Sequence, residues 1–391
     1  MIAATLLVAG VLALGPPTAA RSTPAAGPGG GAGGLTDSAR LASIYDVILE
    51  AQFDEARAQL TAVCPPAPVA ACDVLREVAL WWEIQQDQWS RRLDPRFEAA
   101  AAAAMRSATE WTTREPNRGE AWFYLAGAYA PLAQWRVLRG ERLTAARDGK
   151  RIKDALERAL ALDSRLQDAW FGIGLYHYYA DVAPSALKVL RFLLLLPGGD
   201  RIEGLKEMLR ARDQGELLRG EADYQMHWLY LWYEQKPGSA LQLLRGLDAR
   251  YPSNPLFLQR IAHIEHVYVG NHQASADGWQ ALLDRAALGR VRFASIADAR
   301  ARVGLAAELV ELSQARRAIE LIDPLIRART SAPYGALALA QVTLGDARAS
   351  LDDRPAAIEA YAHALDGAPR DDPDHVRDRA RAGLTRVRSR R

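Results

Sequence analysis

The chain has 391 residues, of which 49% are apolar and 25% are charged, and its formal net charge is +2. This composition is ordinary for a globular protein and supplies enough apolar material for one large elongated domain or two compact ones. The nearly balanced charge argues against nucleic acid as the main partner, because neutralising a phosphate backbone requires a basic excess gathered on one face.

The N-terminal stretch MIAATLLVAGVLALG is apolar and uncharged. It is too short for a comfortable transmembrane helix, and Thr18 and Ala20 suit the −3 and −1 positions of a signal-peptidase site. We therefore predict a signal peptide at 1–20 and an exported, periplasmic or extracellular protein of the bacterial cell envelope. No basic residue precedes the apolar stretch, so an uncleaved anchor is the alternative. Residues 21–35, rich in Pro, Gly and Ala, are predicted to form a flexible linker.

The two cysteines of the chain, Cys64 and Cys72, flank the stretch PPAPVAA. Their spacing fits no zinc or haem motif. Two cysteines this close in an exported chain indicate a disulfide, and two buried free thiols are the alternative.

Residues 36–388 are dominated by Ala, Leu, Arg and Glu, with apolar residues recurring at steps of three and four. Turns containing Pro, Gly, Asn or Asp, such as REPNRGE, EQKPGS and YPSNP, interrupt this pattern at intervals. No segment shows the sustained alternation of a half-buried strand. The sequence therefore predicts an all-α domain over 36–388.

Several helical segments repeat one pattern of small and aromatic residues. The stretches AWFYLAGAY and AWFGIGLYH begin at Ala121 and Ala169, and LGDARASLDDRPAAIEAYAHALDGAP follows near the C terminus. The pattern resembles the tetratricopeptide repeat, a helix pair of about 34 residues. The resemblance implies a right-handed α-α superhelix of about seven or eight helix pairs, ended by a capping helix at 372–388.

Two of these repeats are longer than usual. Trp122 and Trp170 lie 48 residues apart, which is longer than the usual repeat of about 34 residues. Two antiparallel helices can accommodate the extra residues as about two additional turns each. The segment 181–205 is an insertion in which we predict an apolar helix at 184–196. This helix is too short to span a bilayer. Burial against neighbouring helices is favoured, and a membrane-surface position, as in a membrane-peripheral assembly factor, is the alternative.

A narrower resemblance covers about 165–260 and includes PGGDRIEGL and YLWYEQKPGSALQLLRGLDARYPSNPLF. This region looks like the middle of bacterial exported tetratricopeptide proteins and, more distantly, of the eukaryotic inclusion-body-clearance tetratricopeptide family. The likeness carries no catalytic residues, and the chain lacks nucleophile-elbow, P-loop and dinucleotide-binding motifs. It implies a non-enzymatic scaffold or adaptor without a cofactor, whose partner is a protein or peptide.

The tetratricopeptide resemblance also implies which side chains line a concave ligand groove, because fixed positions of each first helix face it. Carried onto this chain, the groove residues are Phe171, Tyr178, Tyr179, Gln225, Trp232, Tyr233, Gln259, His263 and His266. Aromatic rings with polar tips, beside Gln and His, suit the binding of a peptide or protein. The alternative is that these rings fill the core between long helices.

The segment HIEHVYVGNH contains three of the seven histidines. His263, His266 and His272 could share a metal ion, with Glu265 nearby. Their order matches no metalloprotease motif, and hydrogen bonding in the groove or a purely structural role are the alternatives. A metal-binding protein or metal-dependent enzyme built on these histidines is therefore the second functional hypothesis.

Overall fold

A computed structural model of the chain describes residues 34–182 and 199–389, to which every structural statement below refers. The helices are α1 (Ser38–Leu49), α2 (Phe53–Val63), α3 (Val69–Gln86), α4 (Asp94–Arg114), α5 (Gly119–Leu138), α6 (Arg142–Leu162), α7 (Ala169–Val182), α8 (Arg201–Gln214), α9 (Arg219–Trp232), α10 (Pro237–Arg250), α11 (Pro255–Ile264), a π-helix (Glu265–Val269), α12 (His272–Ala287), α13 (Ala294–Glu311), α14 (Ala315–Arg327), α15 (Ala336–Ser350), α16 (Arg354–Gly367) and α17 (Val376–Ser389). The described residues contain no β-strand, so the predicted all-α class is confirmed.

Three predicted segments fall wholly or largely outside the described residues. These are the signal peptide at 1–20, the linker at 21–35 except its last two residues, and the apolar helix at 184–196. Leu35, the last of the linker residues, is buried, and its amide donates to Glu216 Oε1 at 3.3 Å. Among the helices listed above, none is long and apolar enough to cross a lipid bilayer.

The chain divides into two units, each of which is described by itself. Unit 1 comprises Met1–Ile48, Phe53–Trp81 and Asp94–Gln225, and unit 2 comprises Leu49–Gln52, Trp82–Leu93 and Met226–Arg391. Within each unit, helices that follow one another in the chain pack together: α5 on α6 and α7 on α8 in unit 1, and α12 on α13 and α15 on α16 in unit 2. This is the packing expected of helix-pair repeats.

Helix α4 of unit 1 shows how the composition produces packed helices. Its sequence is rich in Ala, the best helix former. Phe97, Ala101, Ala104 and Ala108 are buried, and their spacing of four, three and four places them on one helix face. Because the alanine side chains on this face are small, the neighbouring helix α5 can approach it closely.

The pair α7 and α8 in unit 1 is packed backbone to backbone. A methyl group added at Gly174 of α7 would lie 2.6 Å from the carbonyl oxygen of Gly204 in α8, and 2.8 Å from the side chain of Met208. Neither contact is compatible with a side chain at that position. Gly174 of α7 and Gly204 of α8 are therefore required for the close contact between these two helices.

In unit 2, a single tyrosine fills the space among α15, α16 and α17. Tyr361 of α16 is completely buried, and its hydroxyl donates to Asp346 Oδ1 at 2.7 Å. A methyl group added at Gly345 of α15 or at Gly383 of α17 would lie 2.5 Å or less from the ring. The predicted small-and-aromatic pattern of the repeat is thus a packing pattern, with glycines facing one large ring.

The two cysteines form a disulfide between the end of α2 and the first turn of α3 in unit 1. Cys72 is completely buried, whereas Cys64 is half-buried. The bond closes the turn that contains the proline-rich stretch and so ties these two helices together.

Candidate functional site

The aromatic groove residues that the sequence predicted on α7 are largely core residues of unit 1. Phe171 and Tyr178 are buried, Tyr178 completely. Together with Gly174 they recur at steps of three and four, so they share the helix face that packs on α8. A methyl group added at Gly204 would lie 2.8 Å from the backbone nitrogen of Tyr178. The prediction that Phe171 and Tyr178 line a ligand groove is therefore wrong, because that face is covered by the next helix.

The two other predicted residues of unit 1 are half-buried. The ring of Tyr179 lies perpendicular to that of Tyr178, with their centroids 5.9 Å apart. The amide nitrogen of Gln225 donates to Gln134 Oε1 at 2.9 Å and to Glu221 Oε1 at 2.7 Å. The side-chain NH2 group of Gln225 is thus already hydrogen-bonded within unit 1.

The predicted residues of unit 2 are more accessible. Gln259 is buried, so its assignment to a ligand groove is wrong; it lies among the buried apolar residues of α11. Trp232, Tyr233 and His266 are half-buried, and His263 is exposed. Four of the five predicted residues in unit 2 therefore keep surface that a ligand could contact.

Trp232 belongs to a continuous aromatic surface, which we call the aromatic ladder and define as Trp228, Trp232 and Tyr268. The rings of Trp228 and Trp232 are stacked, with centroids 4.3 Å apart and an interplanar angle of 28°. The indole nitrogen of Trp232 donates to the hydroxyl of Tyr268 at 3.1 Å. Trp228 and Trp232 are four residues apart, which places them on one face of α9.

The π-helix after α11 presents its side chains to solvent next to the ladder. Val267, Tyr268 and Val269 are 52%, 41% and 46% exposed, an unusual run of three large apolar residues. The π-helix is anchored by Glu265, which is buried and ion-paired with Arg245 at 2.7 Å. It ends at Gly270, whose φ of 71° is the left-handed conformation that glycine adopts readily. Single-turn π-helices occur frequently at functional sites.

Positive charge borders the ladder. The Arg260 guanidinium lies over the Trp228 ring, 5.0 Å from its centroid. Although His263 keeps exposed surface, protein packed around its ring desolvates it, and repulsion from Arg260 and His266 adds to this effect, so the pKa of His263 is lowered to about 4. His263 is therefore neutral near pH 7, and Arg260 is the permanent charge beside the ladder.

Two of the three predicted metal-binding histidines meet, but their third partner is a glutamate. The Nδ1 atom of His266 lies 3.0 Å from Glu308 Oε1, and that of His272 lies 2.9 Å from Glu308 Oε2. One donor atom from each residue lies within 4.8 Å of the others. We call these three residues the His–Glu cluster. His263 is not part of it, so the predicted trio of His263, His266 and His272 is corrected to His266, His272 and Glu308.

The local sequence explains why the two histidines meet. His266 lies in the π-helix, and His272 is the first residue of α12, so Gly270 and Asn271 form the turn between them. The Asn271 side chain accepts a hydrogen bond from the Ala274 amide at 3.0 Å, which caps α12. The centroids of the two imidazole rings are 5.2 Å apart.

Sequence reasoning missed three residues of this region: Trp228, Ser275 and Glu308. Trp228 could have been found from its spacing of four from Trp232. Glu308 had a weaker signal, since it is a charged residue on the apolar face of α13 beside Leu305 and Leu309. Its contacts with His266 and His272 join residues 42 and 36 positions apart, respectively, which no local pattern predicts.

No family model matches this sequence, and no curated protein shows significant similarity to it. Solved structures do resemble the chain. Yeast Tom70 has a TM-score of 0.40 and 14% identity over 90% of this chain and 82% of its own. A human IFIT1 dimer with PPP-AAAA has a TM-score of 0.45 and 11% identity over 90% and 86%. The P58(IPK) TPR domain has a TM-score of 0.20 and 13% identity over 81% and 97%.

These solved structures are tetratricopeptide-repeat proteins, the superfamily that the sequence pattern predicted. At such identities, and with TM-scores below 0.5, the likeness assigns neither a role nor a ligand to this chain. The chain is similar to tetratricopeptide-repeat proteins in its all-α architecture of helix pairs.

Proposed function

We propose that this chain is a non-catalytic interaction scaffold that binds a peptide, or a segment of another protein, at the aromatic ladder of unit 2. The observation that carries the proposal is the ladder itself, in which Trp228, Trp232 and Tyr268 adjoin the exposed Val267 and Val269. Tryptophan and tyrosine contribute strongly to protein interfaces, because their large rigid rings bury much surface at a small cost in conformational entropy.

The charge beside the ladder favours an acidic ligand. Arg260 is half-buried, and its guanidinium lies over the Trp228 ring, 5.0 Å from the ring centroid. A carboxylate placed there would form a charge-assisted hydrogen bond with the guanidinium. The proposed ligand is therefore a segment in which an apolar or aromatic residue packs on the ladder and a nearby Asp or Glu pairs with Arg260.

We also propose that the scaffold works in the bacterial cell envelope. The apolar stretch at 1–15 and the disulfide between Cys64 and Cys72 support this placement, because disulfides persist in oxidising compartments. Thiol alkylation of the protein taken from its host under denaturing, non-reducing conditions tests it. We expect no alkylated cysteine before reduction and two after it; two alkylated cysteines before reduction would contradict the proposal.

Selection of a random linear peptide display library on the purified chain tests the binding function. We expect enriched peptides that combine an aromatic or aliphatic residue with a nearby acidic one. Their binding should be lost in the double variant Trp232→Ala, Tyr268→Ala. The matched control is Leu351→Ala, since Leu351 and Tyr268 are both 41% exposed and both belong to unit 2.

Two further measurements make this result interpretable. Helicity and melting temperature of the double variant should stay close to those of the original chain, because its side chains lie at the surface. Arg260→Gln should weaken the acidic peptides by about tenfold while leaving neutral ones unchanged. A library without enriched peptides, or peptides that bind the double variant equally well, would show the proposal to be wrong.

A further inference from the structure

The His–Glu cluster of unit 2 combines the donor atoms of a transition-metal site. It presents two imidazole nitrogens, His266 Nδ1 and His272 Nδ1, to the two oxygens of the Glu308 carboxylate. Two His and one Glu form the ligand set of many zinc sites that keep an open coordination position. Nitrogen-rich sets of this kind select Zn²⁺ or a similar divalent transition metal over Mg²⁺ and Ca²⁺, which prefer oxygen ligands.

The distances in the cluster fit such an ion. Two ligands that each lie about 2.0–2.1 Å from a tetrahedral zinc are about 3.3 Å apart. The observed separations between histidine nitrogens and carboxylate oxygens are 2.9–3.2 Å, and one donor atom from each of the three residues lies within 4.8 Å of the others, so rotation of the half-exposed imidazoles would bring the three ligands around one ion. We propose that His266, His272 and Glu308 bind a single divalent transition-metal ion of the zinc class.

The surroundings hold the ligands in place. Glu308 is 2% exposed, and Ser275 donates a hydrogen bond to its Oε1 at 2.9 Å, which helps to fix the orientation of the carboxylate. Glu308 lies on α13, one helical turn after Gly304. A methyl group at Gly304 would be 2.4 Å from the Trp279 ring of α12, so this glycine sets the spacing of the two helices that carry Glu308, Ser275 and His272.

The site is accessible from solvent. The side chains of His266 and His272 are 40% and 37% exposed, so an ion can enter and keep water in its remaining positions. On binding, each Nδ1 would exchange its contact with Glu308 for a bond to the metal, and the proton of each neutral imidazole would lie on Nε2. The ion would also join the π-helix, which carries Tyr268 of the ladder, to α12 and α13.

Titration of the untagged, chelator-treated full chain with Zn²⁺ and Co²⁺ tests the site. We expect about one ion per chain by calorimetry, a higher melting temperature with Zn²⁺, and the visible absorption of a low-coordinate Co²⁺ complex. His272→Ala should abolish this binding. Ser275→Ala should weaken it by about 10–100-fold, because the carboxylate loses its supporting hydrogen bond.

The controls separate the cluster from ordinary surface histidines. His263→Ala removes the predicted trio member that lies outside the cluster, and His363→Ala removes an exposed histidine of α16. Both should bind Zn²⁺ as the unaltered chain does. Glu308→Gln should also lose binding, but because it alters a buried residue, the half-exposed His272 provides the deciding variant. Zn²⁺ binding that survives His272→Ala, or a lack of binding by the unaltered chain, would overturn the proposal.

Discussion

Helix α7 in unit 1 and the part of α9 in unit 2 both carry closely spaced aromatic residues, WFGIGLYHYY in one and MHWLYLW in the other. In α7, Phe171 and Tyr178 are buried on the face that packs on α8. In α9, Met226 and Leu229 are buried, whereas Trp228 and Trp232 lie on another face and remain half-buried.

The difference shows what decides whether an aromatic residue becomes core or surface. On α7, Gly174 removes the side chain that would keep α8 away, so a whole helix covers the aromatic face. On α9, the aliphatic side chains of Met226 and Leu229 occupy the buried face, and the two indole rings are left to stack on each other. A cluster of aromatic residues in the sequence is thus compatible with a buried ring or an exposed one, and the packing of the neighbouring helix decides which of the two forms.

The largest expected difference in stability is between removing a buried ring of α7 and removing a half-buried ring of α9. Tyr178→Ala should lower the free energy of unfolding by about 3–5 kcal/mol, because it leaves a cavity in unit 1. Trp232→Ala should change it by about 1 kcal/mol or less, since the ring is only partly covered. Urea denaturation of both variants measures the difference, and equal losses would mean that the ladder is core as well.

The next largest effect concerns the disulfide of unit 1. Replacing both cysteines, Cys64→Ser with Cys72→Ser, should lower the free energy of unfolding by about 2–3 kcal/mol, because the unfolded chain regains the freedom of the closed loop. The original chain treated with a reductant should behave like the double variant. Peptide binding at the ladder should be unaffected; its loss would show that the disulfide stabilises the binding surface as well.

A smaller effect tests the role of glycine in the contact between α7 and α8. Gly204→Ala should lower the free energy of unfolding by about 1–3 kcal/mol, because the added methyl group would meet the Gly174 carbonyl oxygen at 2.6 Å. The matched control is Gly246→Ala on α10, where nothing lies within 4 Å of the added methyl group. There the substitution should stabilise by up to about 1 kcal/mol, since Ala is the better helix former. If both variants are stabilised, the close packing is not required.

The last prediction concerns pH and a buried carboxyl group of unit 1. Both carboxyl oxygens of Glu77 on α3 lack hydrogen-bond partners among the described residues, and burial raises the pKa of Glu77 well above its usual range. The unfolded chain therefore releases this proton at a lower pH than the folded chain. As the pH rises above the ordinary Glu pKa of about 4.3, the free energy of unfolding should fall by up to about 1.4 kcal/mol per pH unit.

Glu77→Gln should remove this loss and raise stability at pH 7 relative to the unaltered chain. Denaturation curves between pH 4 and pH 7 compare the two proteins. Glu120→Gln is the control, because Glu120 is equally buried in unit 1 but accepts hydrogen bonds from Thr36 and Arg118. A pH slope that is unchanged in Glu77→Gln would contradict this account.

Much of the fold could be predicted from the sequence, since helices and turns depend on residues that are close together in the chain. Steps of three and four between apolar residues, and turns at Pro, Gly and Asn, located the helices. The recurring Ala-Trp-Phe stretches indicated the repeat because a repeated packing surface requires repeated residues. The candidate site was predicted only in part: Trp232, His266 and His272 belong to it, whereas Trp228 and Glu308 were missed and Phe171, Tyr178 and Gln259 are buried.

The sequence by itself determined the all-α class and the turns that separate helices, because both depend on residues within a few turns of one another. Only the tertiary structure decided which face of each helix is covered, and hence which aromatic rings remain accessible. It alone brought Glu308 to His266 and His272, because that contact depends on how closely α12 and α13 approach at Gly304. Such an approach is set by packing between residues distant in the chain, and periodicity within one helix does not encode it.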